Sequence, residues 1–154
     1  MRLLVLVVGK PRHAGLADAI GDYETRASRY WPFEVVEVRE EPGRSLTPSQ
    51  VREREAERLL AKITPAVRLV TCEPGGDSMT SEAFAGFLQQ SRERSDDLAF
   101  AIGGAHGLGN LIRSRSSKKL SLAPWTLPHE IARLVLAEQI YRAGTIQRGE
   151  PYHK

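Results

Sequence analysis

Apolar positions in this chain fall into short dense runs, and between those runs they recur at helical spacing. Met1 to Val8 is continuous and rich in Leu and Val, as expected of a strand covered on both faces. Gly9-Lys10-Pro11 breaks it. From Ala14 to Tyr30 the residues Leu16, Ile20, Tyr23 and Ala27 return at roughly helical intervals. Trp31-Pro32 ends that helix, because the residue before a proline is pushed away from helical geometry. Phe33 to Val38 mixes apolar residues with glutamates and reads as a partly exposed strand. Glu40 to Ser49 carries Pro42, Gly43, Arg44 and Pro48 and reads as a mobile basic loop. Thr47 or Ser49 then caps a charged helix over Gln50 to Ile63.

The alternation continues to the end. Val67 to Cys72 is a buried-strand run, closed by Glu73-Pro74-Gly75-Gly76-Asp77. Thr80-Ser81-Glu82 starts a helix that reaches about Arg94, and Leu98 to Ile102 is a strand ending in Gly103-Gly104. A short helix follows Gly109, Lys119 to Leu122 forms a last strand, and Glu130 to about Gln147 forms the final helix. Strands alternating with helices predict an α/β fold with a mainly parallel sheet covered on both sides. No repeat, low-complexity tract or linker divides residues 1–154, so a single domain is expected.

Composition narrows the function classes. A chain that is 41% hydrophobic and 27% charged has the balance of a globular protein with a real core, not of a disordered one. Its longest apolar run is far too short to cross a bilayer and is followed by no signal-type cleavage site, so a cytoplasmic protein with no membrane partner is expected. With one cysteine, Cys72, it has no internal disulfide and no thiolate-rich zinc site. Its four histidines show no metal-ligand spacing, so no metal is expected. The net charge of +3 is compatible with a nucleic-acid partner without demanding one.

The chemistry concentrates in the last third. Gly103-Gly104-x-x-Gly107-x-Gly109 follows a strand, where ligands usually sit in open α/β sheets. Its spacing matches neither the dinucleotide fingerprint nor a phosphate loop, and a plain glycine turn explains it equally well. Cys72, at the end of another central strand, would face the same crevice. Leu122 to Pro128 is an apolar loop stiffened by Pro124 and Pro128. Such a loop can wrap an adenine ring or a thioether while backbone groups read the polar edges, or it can simply pack beneath the last helix.

On that helix Ile131, Leu134, Val135 and Tyr141 share one face, with Glu138 and Arg142 centred in it, while Leu136 and Ile140 lie opposite. A helix apolar on both sides calls for burial on both, which a partner subunit would supply. Glu138 and Arg142 are spaced to pair with each other. Alternatively, Arg142 is presented to an anionic group, which its planar guanidinium suits. The closing Tyr152-His153-Lys154 is either a frayed end or a group able to stack on a base, move a proton and contact phosphate. Arg92, Arg94, Arg113, Arg115, Lys118 and Lys119 form either a phosphate-tracking surface or an ordinary solvated one.

Taken together, four segments carry a family likeness. They are Ile102-Gly103-Gly104-x-x-Gly107, Leu122-x-x-x-Thr126-Leu127-Pro128-His129, Arg133-x-x-x-x-Glu138-Gln139-x-Tyr141-Arg142-Ala143, and Pro151-Tyr152-His153. With the Leu-rich opening strand, Gly9 and Pro32-Phe33-Glu34, the chain resembles, over nearly its whole length, the RlmH (YbeA-like) family of SPOUT-class methyltransferases. The resemblance implies an α/β-knot (SPOUT) fold with a C-terminal trefoil knot, and a homodimer. The activity implied is S-adenosylmethionine-dependent methylation of N3 of a pseudouridine in 23S ribosomal RNA, within the large subunit or assembled 70S ribosome.

Carried across by position, the cofactor contacts implied are Cys72, Gly103, Leu122, Ala123, Pro124, Trp125, Thr126 and Leu127. The catalytic group implied is His129, Arg142, Tyr152 and His153. Three places depart from the family's pattern: Ala105-His106, where a proline and a variable residue are common; Cys72, where leucine is common; and Pro124-Trp125, which is bulkier than usual. The competing readings are a non-enzymatic RNA- or nucleotide-binding domain, and a methyltransferase acting on another RNA.

Overall fold

The computed structural model describes residues 1–154. Its centre is a five-stranded sheet of β1 (Leu3–Val8), β2 (Phe33–Val38), β3 (Arg68–Ser78), β4 (Leu98–Ile102) and β5 (Lys118–Ser121). The strands run in the order β2-β1-β4-β3-β5, and every pairing is parallel. β1 and β4 are buried along their whole length, which accounts for their unbroken apolar sequences. Leu3, Val5 and Val7 point into one core with Phe100 and Ile102, while Leu4, Leu6 and Val8 point into another with Ala99 and Ala101.

The first core is covered by α1 (Ala14–Ala27), α3 (Ser81–Glu93) and α5 (His129–Gln147), the second by α2 (Pro48–Leu60) and α4 (Asn110–Arg115). Thr47 is the cap of α2. Its hydroxyl accepts from Gln50 N, and the Gln50 side chain accepts from Thr47 N, a reciprocal capping box. Thr80 caps α3 in the same sense, accepting from Ala83 N. His13 caps α1 through Nδ1, which accepts from Leu16 N at 3.3 Å.

The helix expected over Gln50 to Ile63 runs from Pro48 to Leu60, and two further boundaries moved for reasons of packing. α1 stops at Ala27, a turn short of Tyr30, because Trp31 turns inward, is almost fully buried and donates its indole N–H to Ile140 O at 3.0 Å. β3 runs to Ser78, past the Glu73–Asp77 segment that reads as its closing loop. The register explains this: Cys72 and Asp77 both pair with Leu120, so the four residues between them bulge out and the strand resumes. Gly76 permits the return, since a Cβ there would lie 2.7 Å from the Leu120 backbone.

No helix is long and apolar enough to cross a membrane.

Candidate active site

At the carboxyl ends of β3, β4 and β5 the chain encloses a cavity of about 440 Å³, within the range of small-ligand sites. Three segments build it. Cys72, Glu73 and Pro74 come from the bulge of β3; Gly103, Gly104, Ala105, Gly107 and Leu108 come from the loop after β4. Leu122, Ala123, Trp125, Thr126, Leu127 and Pro128 come from the loop after β5, and His129 and Ala132 from the start of α5. Of the residues expected to contact a cofactor, all line this cavity except Pro124.

Local sequence dictates the loops. After β4 the chain closes a tight turn, with Gly107 N donating to Gly104 O at 3.0 Å and Gly107 in the left-handed region at φ +80. Gly103 has ordinary dihedrals but no room: a Cβ there would lie 2.4 Å from the Gly107 carbonyl carbon. After β5, Ser121 Oγ donates to Ala123 O at 2.7 Å, and Pro128 serves as N-cap of α5. A site made this way offers apolar walls and main-chain hydrogen-bonding groups.

Cys72 lines the cavity wall, and burial, with the Glu73 carboxylate beside it, pushes its thiol up to about 12. At pH 8 the group is then held as the neutral thiol, the unreactive form. Thiol reagents are therefore expected to leave Cys72 unmodified over hours at pH 8 while labelling the denatured chain within minutes. Fast labelling of the folded protein by a chromogenic disulfide would contradict this.

Glu73 and Arg113 are functional candidates that the sequence reading did not find as a pair. Both line the cavity, with Arg113 Nε 3.2 Å from Glu73 Oε1, and Glu73 Oε2 is buried without a hydrogen-bond partner. Only the β3 bulge brings Glu73 here, so spacing carried no signal of it.

The expected catalytic residues divide into two places. His129 is in the cavity wall. Arg142, Tyr152 and His153 do not line the cavity; they gather near the far end of α5, where residues Pro151–His153 make a single 3-10 turn. His129 and Arg142 are thirteen positions apart on one helix, roughly 20 Å along its axis. Glu138 is the hub of the far cluster. Its Oε1 accepts from Arg142 at 2.6 Å and from the Tyr152 hydroxyl at 3.0 Å, and its Oε2 accepts from Gln139 at 2.7 Å.

The Arg142 guanidinium also lies over the Tyr152 ring, 4.9 Å from its centre. The Glu138 hydrogen bond raises the Arg142 pKa further, keeping it cationic. Burial, then hydrogen bonds with Tyr23 and Glu138, raise that of Tyr152, so this phenol stays neutral and donates. His153 Nδ1 is buried and makes no hydrogen bond.

Glu138→Ala is expected to release Arg142 and Tyr152 together, costing about 1–2 kcal/mol and lowering the melting temperature by about 3–6 °C. Calorimetry showing no shift, with activity retained, would mean that the cluster needs no hub.

Several basic residues are occupied. Arg115 donates to the carbonyls of Pro65 and Val67, Lys118 pairs with Asp77 at 2.8 Å, Arg113 with Glu73, and Arg92 stacks over Trp31. Of the six cations suggested as a phosphate-tracking surface, Arg94 and Lys119 are exposed and without ion pairs; the rest hold structure together. Arg133 is nearly buried and bridges Glu24 at 2.7 Å and Glu37 at 2.9 Å, tying α5 to α1 and β2.

A parallel sheet whose strand ends give rise to glycine and proline loops around a half-open cavity defines an α/β protein with the usual place for a small ligand, at the carboxyl ends of its strands. Residues 1–153 match the family described as "Predicted SPOUT methyltransferase". Among curated relatives, "Ribosomal RNA large subunit methyltransferase H" of Gemmatimonas aurantiaca is 63% identical over 154 residues, covering 100% of both chains. The protein of the same name from Anaeromyxobacter sp. strain Fw109-5 is 46% identical, again over 100% of both.

The fold is also that of a crystal structure titled "Probable Methyltransferase from Bordetella pertussis Tohama I", with a TM-score of 0.56 at 17% identity over 93% of this chain and 94% of that one. The chain belongs to the SPOUT methyltransferase family.

Proposed function

We propose that this chain, acting as one domain, transfers a methyl group from S-adenosylmethionine to N3 of a pseudouridine in 23S ribosomal RNA, in the cytoplasm. The observation that carries this reading is the cavity itself. Its apolar walls and main-chain groups suit a sulfonium nucleoside, and they are built by the two loops whose sequences carry the family likeness. Relatives at 63% and 46% identity bear the name of a large-subunit ribosomal RNA methyltransferase.

The cofactor supplies an activated methyl group, so the protein's tasks are alignment, exclusion of water and disposal of the N3 proton. The Leu122–Leu127 and Gly103–Gly107 loops hold the donor. Arg142 steadies phosphate or the developing imide anion, Tyr152 donates a hydrogen bond, and His153 accepts the proton. His129, at the cavity wall, orients the base.

Because the cavity and the Arg142–His153 cluster lie at opposite ends of α5, one protomer cannot complete this site. We propose a homodimer in which the tail of one chain reaches the cavity of the other. The partly exposed Ile131, Leu134 and Val135 on α5 support it, since Leu136 and Ile140 opposite are already spent on the core and Tyr141 is packed among Tyr23, Tyr30 and Tyr152 of its own chain. The chain's place in the SPOUT methyltransferase family supports a C-terminal trefoil knot.

The test is direct. Calorimetry should show one donor site per chain, and mass mapping of ribosomal RNA from a deletion strain should show one methyl group missing until this chain is restored. RNA binding without any affinity for the donor would favour a non-enzymatic RNA-binding domain; restoration of a methyl group elsewhere would favour another RNA as substrate.

A further inference from the structure

Trp125 is the most exposed large apolar side chain in the molecule, 77% accessible, and it lies at the cavity. The other tryptophan, Trp31, is almost fully buried and hydrogen-bonded, so the exposure of Trp125 is not a general habit of this fold. It belongs to an otherwise apolar loop held by Pro124, by Pro128 and by the hydrogen bond from Ser121 to Ala123 O. A large indole on a stiff backbone loses little conformational entropy when it binds. It contributes nothing to the two cores that hold the sheet.

The same segment is preceded by Lys119, which is exposed and forms no ion pair. An exposed aromatic ring and a free cation on one strand-and-loop unit are the two elements used to hold single-stranded nucleic acid: a stacking face and a phosphate contact.

Resting on the methyltransferase reading above, we propose that Trp125 is a substrate-positioning residue whose indole stacks on an unpaired RNA base next to the one being methylated. The donor is held by main-chain groups of the same loop, which leaves the side chain free to face the RNA. Trp125 thus sets how the target nucleotide sits over the cavity, and Lys119 takes a neighbouring phosphate.

Three measurements on the intact protein test this. Iodide quenching should report one accessible and one shielded tryptophan, and saturating S-adenosylmethionine should leave that pattern unchanged. A Trp125 already shielded in the free protein would mean that the partner subunit covers it. Shielding by the donor alone would make it a lid on the donor. Either result overturns the proposal.

In methylation assays on large-subunit particles at saturating donor, Trp125→Ala should raise the KM for RNA about 5- to 100-fold, with most of the loss in KM and little in kcat. Trp125→Phe should recover most of it. Filter binding of the RNA should follow the same order. An unchanged KM and RNA affinity in Trp125→Ala overturns the proposal, while wild-type protein that binds no donor sinks the methyltransferase reading instead and leaves the RNA-binding comparison decisive.

Discussion

Gly103→Ala is expected to cost the protein at least ~30-fold in affinity for S-adenosylmethionine, through crowding of backbone against backbone. The added Cβ would lie 2.4 Å from the Gly107 carbonyl carbon, 2.6 Å from its oxygen and 2.8 Å from Leu108 N. None of these is the tip of a flexible side chain that can swing aside. The Gly103–Leu108 loop must therefore move by most of an ångström, and five of its residues line the cavity. Gly103→Val adds two more carbons to the same clash and is expected to abolish binding.

Overpacking of this kind also costs about 1–3 kcal/mol of stability, so calorimetric melting and donor titration should both register it. Gly21→Ala is the matched control: nothing lies within 4 Å of its Cβ and it sits inside α1. It should leave binding intact and add about 0.5–1 kcal/mol, the usual helix preference of alanine over glycine. Wild-type donor affinity in folded Gly103→Ala would remove the loop from the site.

Removing Tyr152 to Lys154 should slow methyl transfer by about 10²–10⁴-fold, the usual worth of a positioned acid or base, and change donor affinity less than about 3-fold. The tail is absent from the cavity of its own chain, so folding of the cavity does not depend on it. The sharper form of this prediction mixes the truncated chain with Gly103→Val, the variant expected to bind no donor. Each mixed dimer would contain one site built from the intact cavity of the truncated chain and the intact tail of the other. Random pairing of equal amounts then restores roughly a quarter of wild-type activity. If each chain used its own tail, no combination would be active, and the mixture would stay as inert as its parts. Full activity in the truncated chain alone would reduce Tyr152-His153 to a structural end.

The fold was largely legible in the order of residues because its strong signals are local. Continuous apolar runs such as Leu3–Val8 and Leu98–Ile102 have one physical solution in a chain with intervening helices: central strands buried on both faces. Thr47 and Thr80 announced helix starts because a cap is satisfied within four residues. Boundaries failed where a distant partner decided them. Trp31 shortens α1 because Ile140, 109 positions away, accepts its N–H. β3 continues beyond Cys72 because, after the bulge, Asp77 and Ser78 come back to pair with Leu120 and Ser121 of β5.

The same division runs through the candidate site. Sequence alone settled which loops are rich in glycine and proline, where the helical wheel of α5 is apolar on both sides, and which titratable residues lie near them, because composition and periodicity are properties of neighbours along the chain. Tertiary structure alone decided that Glu73 meets Arg113, that Glu138 binds Arg142 and Tyr152 together, that most of the basic residues are spent on structural contacts, and that the tail lies a helix length from its own cavity. Those facts depend on which strand lies beside which and on the direction in which α5 leaves the sheet. Such distances follow from packing, and no spacing along the chain encodes them.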